Sequence, residues 1–402
     1  MNRNNSTIPF VGLHAHSVAG SPFDALGYPQ EHMDFAFENG MDALALTDHG
    51  NANGLSYQVL HAKKMISAGK SFKPIFGVEA YFIPSVTNWK KEYENVKSLA
   101  KRKSEYEVDS SGTTVEDDES KKKMKSILNR RRHLILLAQN PVGLKNIFKM
   151  ISISYTGDNF YRYPRVDYSL LKKHNEGVIA ASACLGGIYA GNYWENRDQG
   201  STAVIAAMRK TTLKMQQIFG DRWYGELQWN NIPEQHELNN YIIQMHREYG
   251  IELISTADSH YYNPSAWKDR ELYKRLGWLG RSRPGYLTEE LPDSVEDVGY
   301  ELYPKNGDQM WQSYKKYSKQ AGVEYDDHLI LDSIKKTYDI AHDRIESFMP
   351  DNTVRLPDFV VPEDSTPAEA LASLCLDGAR KIGVLKNPEY SDRLKREIDV
   401  ID

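Results

Sequence analysis

An α/β fold, most economically a barrel, is what the sequence predicts, on three observations. Seven short runs have strand character, stretches of helical periodicity separate them, and side chains of metal-ligand type cluster at the run ends. Alternation of strand and helix argues for parallel strands joined by right-handed crossovers. Barrels of this kind build their sites from the carboxyl ends of many strands. An open doubly wound sheet collects its ligands mainly at one switch point, which suits so dispersed a set poorly.

The first run, Phe10–Leu13, leads into LHAHS, which places His14 and His16 two apart. Residues i and i+2 of a strand share a face, so both imidazoles can turn toward one ion. A helical stretch over Glu31–Asn39 precedes the second run, Ala43–Thr47, which delivers Asp48 and His49 at its end. After a helix over Leu55–Ala68 comes Ile75–Ile83, carrying Glu79. His133 stands just before Leu134–Ala138, and Val178–Ala183 runs into Cys184. Helices over Ala203–Phe219 and Gln235–Tyr249 flank Trp223–Leu227, which contains Glu226. The last run, Glu252–Thr256, precedes Asp258 and His260. Apolar and β-branched enrichment identifies the runs, and apolar spacing identifies the helices.

Two regions depart from this rhythm. Ser85–Arg132 is dense in charge and reads as an insertion, either a helical hairpin or partly disordered. Its end carries Lys121, Lys122, Lys123, Lys125, Arg130, Arg131 and Arg132. A solvated face is the simpler account of such a run; a phosphate-backbone contact leading into His133 is the sharper one. After about Pro284 the sequence becomes Tyr-rich and Pro-punctuated, with helices expected at Tyr314–Ala321, His328–Ile345, Pro367–Ile382 and Ser391–Ile401. No ligand-type cluster occurs there, and His328 and His342 read as surface or packing residues. The division expected is a metal-binding barrel over 1–283 and a mainly helical region over 284–402. The chain stops within an apparent helix without a stop signal, as a truncated or split gene would.

Hydrophobic content of 40% and charged content of 26% are those of a globular protein. A net charge of −5 excludes a uniformly basic nucleic-acid binder. Cys184 and Cys375 provide no disulfide framework. The start, MNRNNSTIPF, has no apolar signal core, and no stretch of 18 apolar residues occurs. A cytoplasmic protein is expected.

A lone His-x-His is commonplace on ordinary strands. Here it is joined by His49, Glu79, His133, Cys184, Asp258 and His260, more donors than one tetrahedral zinc accepts. Two to three divalent ions are implied, with Glu79 as the natural bridging carboxylate. Cys184 tilts the choice toward zinc, while the carboxylates would tolerate manganese or iron. Asp48 reads better as a residue that orients its neighbour His49 than as a ligand. Glu226 reads equally as a pocket residue or a half-buried strand carboxylate. Arg162 and Arg165 are candidates for substrate phosphate, with ordinary surface arginines the simpler account. His32, His61, His174, His236 and His246 lack partners at ligand spacing.

The motifs LHAHS, ALTDHGN, GVEAY, HLILLAQN, ASACLGG and ADSHY resemble those of the PHP (polymerase and histidinol phosphatase) family. More closely, with GLKNI, PRVD, LPDFVVP and EYSDRLKREIDVI, the chain resembles the N-terminal region of bacterial DNA polymerase III alpha subunits, the C-family replicative polymerases. The resemblance implies a distorted (β/α)7 barrel followed by the first part of a polymerase palm. It implies a nine-residue metal-ligand set of His14, His16, Asp24, His49, Glu79, His133, Cys184, Asp258 and His260. The family's Leu-Leu-Asp-Gly-like run is replaced here by VAGSPFDALG, so Asp24 stands at an altered spacing. The family's Gly-Arg-Gly-Ser loop and palm aspartates fall beyond Asp402, which predicts no nucleotide addition by these residues alone.

Three functions fit. The first is a multinuclear metal-dependent phosphoesterase, a 3′–5′ exonuclease on DNA, with Asp258, His260 and Glu79 carrying hydrolysis. The second is a metal-stabilised scaffold that buttresses the polymerase and docks a proofreading subunit. The third, a free-standing small-molecule phosphatase, has no use for the polymerase-like C-terminal third. The partners implied are DNA, the remaining polymerase polypeptide and replisome subunits.

Overall fold

The computed structural model describes residues 6–106, 118–277, 291–351, 353–354, 356 and 359–401. They form two compact units, residues 1–350 and 351–402. The eight strands of the first unit are β1 (Ala43–Leu46), β2 (Lys73–Phe82), β3 (Arg132–Ala138), β4 (Phe160–Tyr161), β5 (Tyr163–Val166), β6 (Val178–Ala181), β7 (Trp223–Leu227) and β8 (Glu252–Ser255). They form one curled sheet in the order β4-β5-β2-β3-β6-β7-β8, with β1 beside β2.

The run at Phe10–Leu13 is not a full strand; it serves as the seam of the barrel. Gly12 bridges Leu44 of β1, and Ala15 bridges Ser259, just beyond β8, so this segment joins the two ends of the sheet. The bonds from Ala45 N to Gly12 O and from His16 N to Ser259 O are both 2.8 Å. The seven sequence runs are therefore the seven staves of a ring. The short pair β4–β5, an addition with no apolar run to announce it, pairs with the far half of β2 through Tyr81 and Phe82.

The expectation of all-parallel strands is corrected at one stave. β3 runs antiparallel to both β2 and β6, while β1–β2, β6–β7 and β7–β8 are parallel. The reason lies in the connection. Between β2 and β3 the chain leaves the barrel as the charged excursion, and an antiparallel return needs no crossover to the opposite end of the sheet. The excursion contains helices Val86–Tyr106 and Asp118–Asn129, which share a small core of Val86, Trp89, Val96, Ile127 and Leu128. Its middle, 107–117, and the expected domain boundary at 283–284 lie outside the described residues.

Side-chain alternation divides the barrel into two cores. One face of the staves carries Val11, Leu13, Ala43, Ala45, Ile75, Ile135, Leu137, Ile179, Ala181, Tyr224 and Ile254, which pack together inside the ring. The other carries Leu44, Phe76, Leu134, Leu136, Val178 and Ala180, which meet the surrounding helices. Ile340, Ala341 and Ile345 close one end of the inner core. Ile340 and Ala341 belong to a π-helical turn, Ile340–Arg344, that ends the helix Asp327–Asp339, and Ile345 directly follows it. Lys73 Nζ donates to the carbonyls of Ala341 (2.6 Å) and Ile345 (2.5 Å), holding that turn in place.

The second unit contains helices Pro367–Lys381 and Pro388–Ile401. The first begins at a capping box in which Thr366 Oγ1 accepts from Glu369 N and Glu369 Oε2 accepts from Thr366 N. No helix among the described residues is long and apolar enough to cross a membrane.

Candidate metal centre

The end of the barrel away from the π-helical turn is polar, and the strand register explains why. Glu79 stands four residues after Ile75, His133 two before Ile135, Glu226 two after Tyr224 and Thr256 two after Ile254. Each therefore continues the inner face of its strand. The reversal of β3 is what brings His133, at the start of its strand, beside Tyr81 at the end of β2.

Glu79 is fully buried at the middle of the cluster. Its Oε1 lies 3.4 Å from His14 Nε2 and 3.0 Å from His133 Nδ1, and its Oε2 lies 2.5 Å from His49 Nδ1 and 3.7 Å from His16 Nε2. Asp258 Oδ1 sits 3.0 Å from His14 Nε2 and 3.2 Å from His16 Nε2. Cys184 Sγ is 3.6 Å from His133 Nδ1 and 4.0 Å from Glu79 Oε1. On the outer side Asp24 Oδ2 lies 3.0 Å from His49 Nε2 and 3.3 Å from His260 Nε2. Three overlapping donor groups result: His14, His16 and Glu79; His49, Glu79 and His133; His16, His49 and His260.

The residues fit divalent metal ions. His49 Nδ1, Glu79 Oε2 and Asp258 Oδ1 are buried without any hydrogen-bond partner, although oxygen and nitrogen stand within contact distance. Buried polar atoms are ordinarily paired, because leaving one unpaired costs about 1–3 kcal/mol. Lone pairs that converge without N–H···O alignment suit a cation between them. Imidazole, carboxylate and thiol are the donor types of zinc, manganese and iron centres.

Surrounding groups set the tautomers. His14 Nδ1 donates to Glu226 Oε1 (2.7 Å), leaving Nε2 to face the centre, while Thr256 Oγ1 (2.6 Å) and Gln228 Nε2 (3.0 Å) donate to the same oxygen. Glu226 is thus neither a pocket residue nor half-buried; it orients His14 from below. His260 Nδ1 donates to the carbonyl of Asp258 (2.8 Å), freeing its Nε2 toward Asp24. Asp24 is itself gripped by Arg270, which donates Nη2 to Oδ1 and Nε to the backbone oxygen, both at 2.7 Å.

Asp48 does not touch the His49 ring. It accepts from Ser17 N (2.7 Å), Ser17 Oγ (2.9 Å) and Ser21 Oγ (2.9 Å), and Ser21 Oγ in turn accepts from His49 N (3.1 Å). It therefore orients His49 through a serine, not by the direct bond expected. The fit is close: a Cβ on Gly20 or Gly54 would come within 2.4 or 2.6 Å of Asp48. Burial lifts its pKa to about 6 against the pull of the Ser17 and Ser21 bonds.

Protonation follows the same charge pattern. Burial opposes charge on His49, yet Glu79 and Asp24 hold its pKa at about 10. Burial likewise opposes charge on His14, and Asp258 and Glu226 outweigh it. His16 is pushed down by burial and by the neighbouring His49 and His260. Burial and the nearby Asp258 and Glu79 raise the Cys184 thiol. The carboxylates of this centre thus attract positive charge, and His14 and His49 are the imidazoles whose protons they favour. The backbone is also unusual here: Ala183 and Asp258 adopt left-handed φ values of 60° and 48°.

A cleft of about 390 Å³ opens over His49 and His133, lined also by Phe23, Asp24, Tyr81, Arg131 and Lys274. Arg131 lies 3.9 Å over the Tyr163 ring and 5.3 Å over that of Tyr81. Of the two arginines proposed for phosphate, Arg165 is corrected. It is buried, with its guanidinium spent on the carbonyls of Leu128, Arg130, Tyr161 and Tyr163, which tie the excursion to β4–β5. Arg162 is exposed beside Tyr161 and is not among the residues lining the cleft. Arg131 and Lys274 are the basic residues that line the cleft. Arg131 was hidden in the sequence among six like-charged neighbours, and Lys274 carried no local signal.

The PHP domain model matches residues 12–230, more than half of the chain. The chain belongs to the PHP family. The chain is similar to DNA polymerase III subunit alpha of Aquifex aeolicus, 33% identical over 397 residues, which is 98% of this chain and 30% of that protein. The Borreliella burgdorferi DNA polymerase III subunit alpha is 34% identical over 254 residues, 63% of this chain and 18% of its own length. The chain therefore spans less than a third of these relatives. A Bacteroides vulgatus structure described as containing a predicted PHP-like metal-dependent phosphoesterase is 14% identical. It covers 67% of this chain and 60% of its own, with a TM-score of 0.32.

Proposed function

We propose that this chain is the N-terminal region of a DNA polymerase III alpha subunit whose PHP barrel is a multinuclear metal-dependent phosphoesterase, a 3′–5′ exonuclease on DNA. The observation that carries the reading is the convergence of His14, His16, His49, His133 and Cys184 on the buried, part-unpartnered Glu79, with Asp258 against His14 and His16. Asp24 and His260 complete the set on the cleft side. Two to three divalent ions, zinc by preference with manganese or iron tolerated, would be held by these nine residues. Such ions supply Lewis acidity toward a phosphodiester and charge for in-line displacement.

The residues of the chain have separate tasks. Glu79 would hold ions through its two carboxylate oxygens, and Asp258, against His14 and His16, would add a third carboxylate oxygen to the set. His260, its Nδ1 committed to the Asp258 carbonyl, turns its Nε2 toward Asp24, where the two would complete the ion-binding set. Arg131 and Lys274 bring positive charge to the mouth, where the phosphate enters. Residues 1–283 would supply the staves of the barrel and 284–402 the beginning of the palm region, with the turn at Ile340–Arg344 packed against the inner core of the barrel. DNA, the rest of the polymerase and replisome subunits are the partners, in a cytoplasmic setting. A metal-bound scaffold that docks a proofreading subunit is favoured by the same convergence, since ions there would tie separate staves of the ring together.

The experiment is degradation of 3′-labelled single-stranded DNA by the metal-replete protein. Loss of the terminal nucleotide, abolished by prolonged chelation, is the expected result. No hydrolysis with zinc, manganese, cobalt or magnesium would leave the scaffold reading in its place.

A further inference from the structure

The mouth of the cleft contains a feature that phosphate chemistry alone does not require. Phe23, next to Asp24, is a bulky aromatic residue with a left-handed backbone (φ 63°) and half of its surface exposed (50%). L-residues with large side chains avoid that conformation, and burial does not repay it here. Tyr273 stacks behind the Phe23 ring at 5.3 Å and 25°, fixing its orientation from one side. Tyr273 belongs to the helix Trp267–Leu276, which also provides Arg270, the grip on Asp24, and Lys274. One helix thus sets the aromatic face, the acidic donor and a cation in register.

Across the cleft stands Arg131. Its guanidinium is pinned over Tyr163 and Tyr81, and its Nη1 donates to Asn129 O (3.1 Å). Its Nε is buried without a partner. A cleft-lining arginine whose plane is held by two aromatic rings suits a phosphate oxygen at its remaining guanidinium N–H groups. The cleft, about 390 Å³, is the size of a site for one small ligand.

We infer that the mouth reads a nucleotide end, with Phe23 as the stacking face for the terminal base and Arg131, aided by Lys274, as the holder of its phosphate. This rests on the phosphoesterase reading and adds the residues that would recognise the nucleotide end, without preference for sequence because every base has a π-face. A sugar phosphate without a base would forgo the Phe23 contact.

Isothermal titration of the metal-replete protein with thymidine 5′-monophosphate and with 2-deoxyribose 5-phosphate tests it. The nucleotide should bind roughly five- to a hundredfold more tightly, the range of one base–aromatic stack. Phe23→Leu should erase that preference and Phe23→Tyr should keep it, while Arg131→Met should weaken both ligands alike. Equal affinity of the wild type for the two ligands, no nucleotide binding, or a preference that survives Phe23→Leu would overturn the inference. Metal content and bis(p-nitrophenyl) phosphate hydrolysis, measured on the same preparations, separate the two readings. Nucleotide preference without hydrolysis contradicts the phosphoesterase, and hydrolysis without preference contradicts only the base platform.

Discussion

The two ends of the barrel use one strand register for opposite ends. Toward the π-helical turn the inner positions are Ile135, Leu137, Ile179 and Ala181, sealed by Ile340, Ala341 and Ile345. Further along the same inner face they become Glu79, His133, Glu226 and Thr256. The closed end stabilises the fold by burying apolar surface, about 25 cal/mol per Å². The open end does the reverse, since it buries carboxylates and imidazoles, some without partners, at a cost in stability. Period-two alternation guarantees that both functions sit on the same face; only the residue chosen at each level decides which one it serves. In this arrangement the apolar end supports a centre whose buried carboxylates favour positive charge.

Substitutions at the two ends should therefore separate activity from stability. The largest effect is expected at the open end. Asp258→Asn keeps the shape of the side chain but removes its charge, and nuclease activity should fall below detection while the thermal unfolding profile stays cooperative. DNA degradation that survives this change together with chelation would place the chemistry elsewhere. At the closed end, Ile179→Ala should lower stability by about 2–5 kcal/mol, as a cavity in a tight core does. Activity per folded molecule should be retained; an activity loss larger than the loss of folded protein would show the two ends to be coupled.

The sequence made one end far more legible than the other features. His14, His16, His49, Glu79, His133, Cys184, Asp258 and His260 stand out because catalysis-capable side chains at strand ends are rare, and the structure brings them together. Asp24 could be placed only by resemblance, since the residue that holds it, Arg270, is 246 positions away. The reversal of β3 left no mark in composition, because strand direction depends on where a connection returns. β4–β5 are two and four residues long and partly exposed, too short for a periodic signal. Arg165 looked like a phosphate ligand and proved to be a buried clasp. The difference between the two lies in backbone carbonyls that no residue pattern reveals.

A subtler contrast concerns a histidine outside the centre. His32 is buried and neutral, with Nε2 donating to Leu26 O (3.1 Å), and burial lowers its pKa from 6.5 to about 4. Its folded value lies below its unfolded value, so its contribution is present above pH 6.5 and is lost as pH falls toward 4. In metal-free protein that loss should approach roughly 3 kcal/mol. Acid titrations of stability for wild type and His32→Ala should diverge across that window, while nuclease activity at neutral pH is largely unchanged. Parallel titrations would contradict the burial argument.

The central claim is that the open end is a multinuclear metal centre bridged by Glu79. Elemental analysis of protein purified without chelator tests it most directly, with Glu79→Gln alongside. Two to three equivalents of divalent metal per wild-type chain, falling to one or fewer in Glu79→Gln, is the predicted result. Less than one equivalent in the wild type would contradict it.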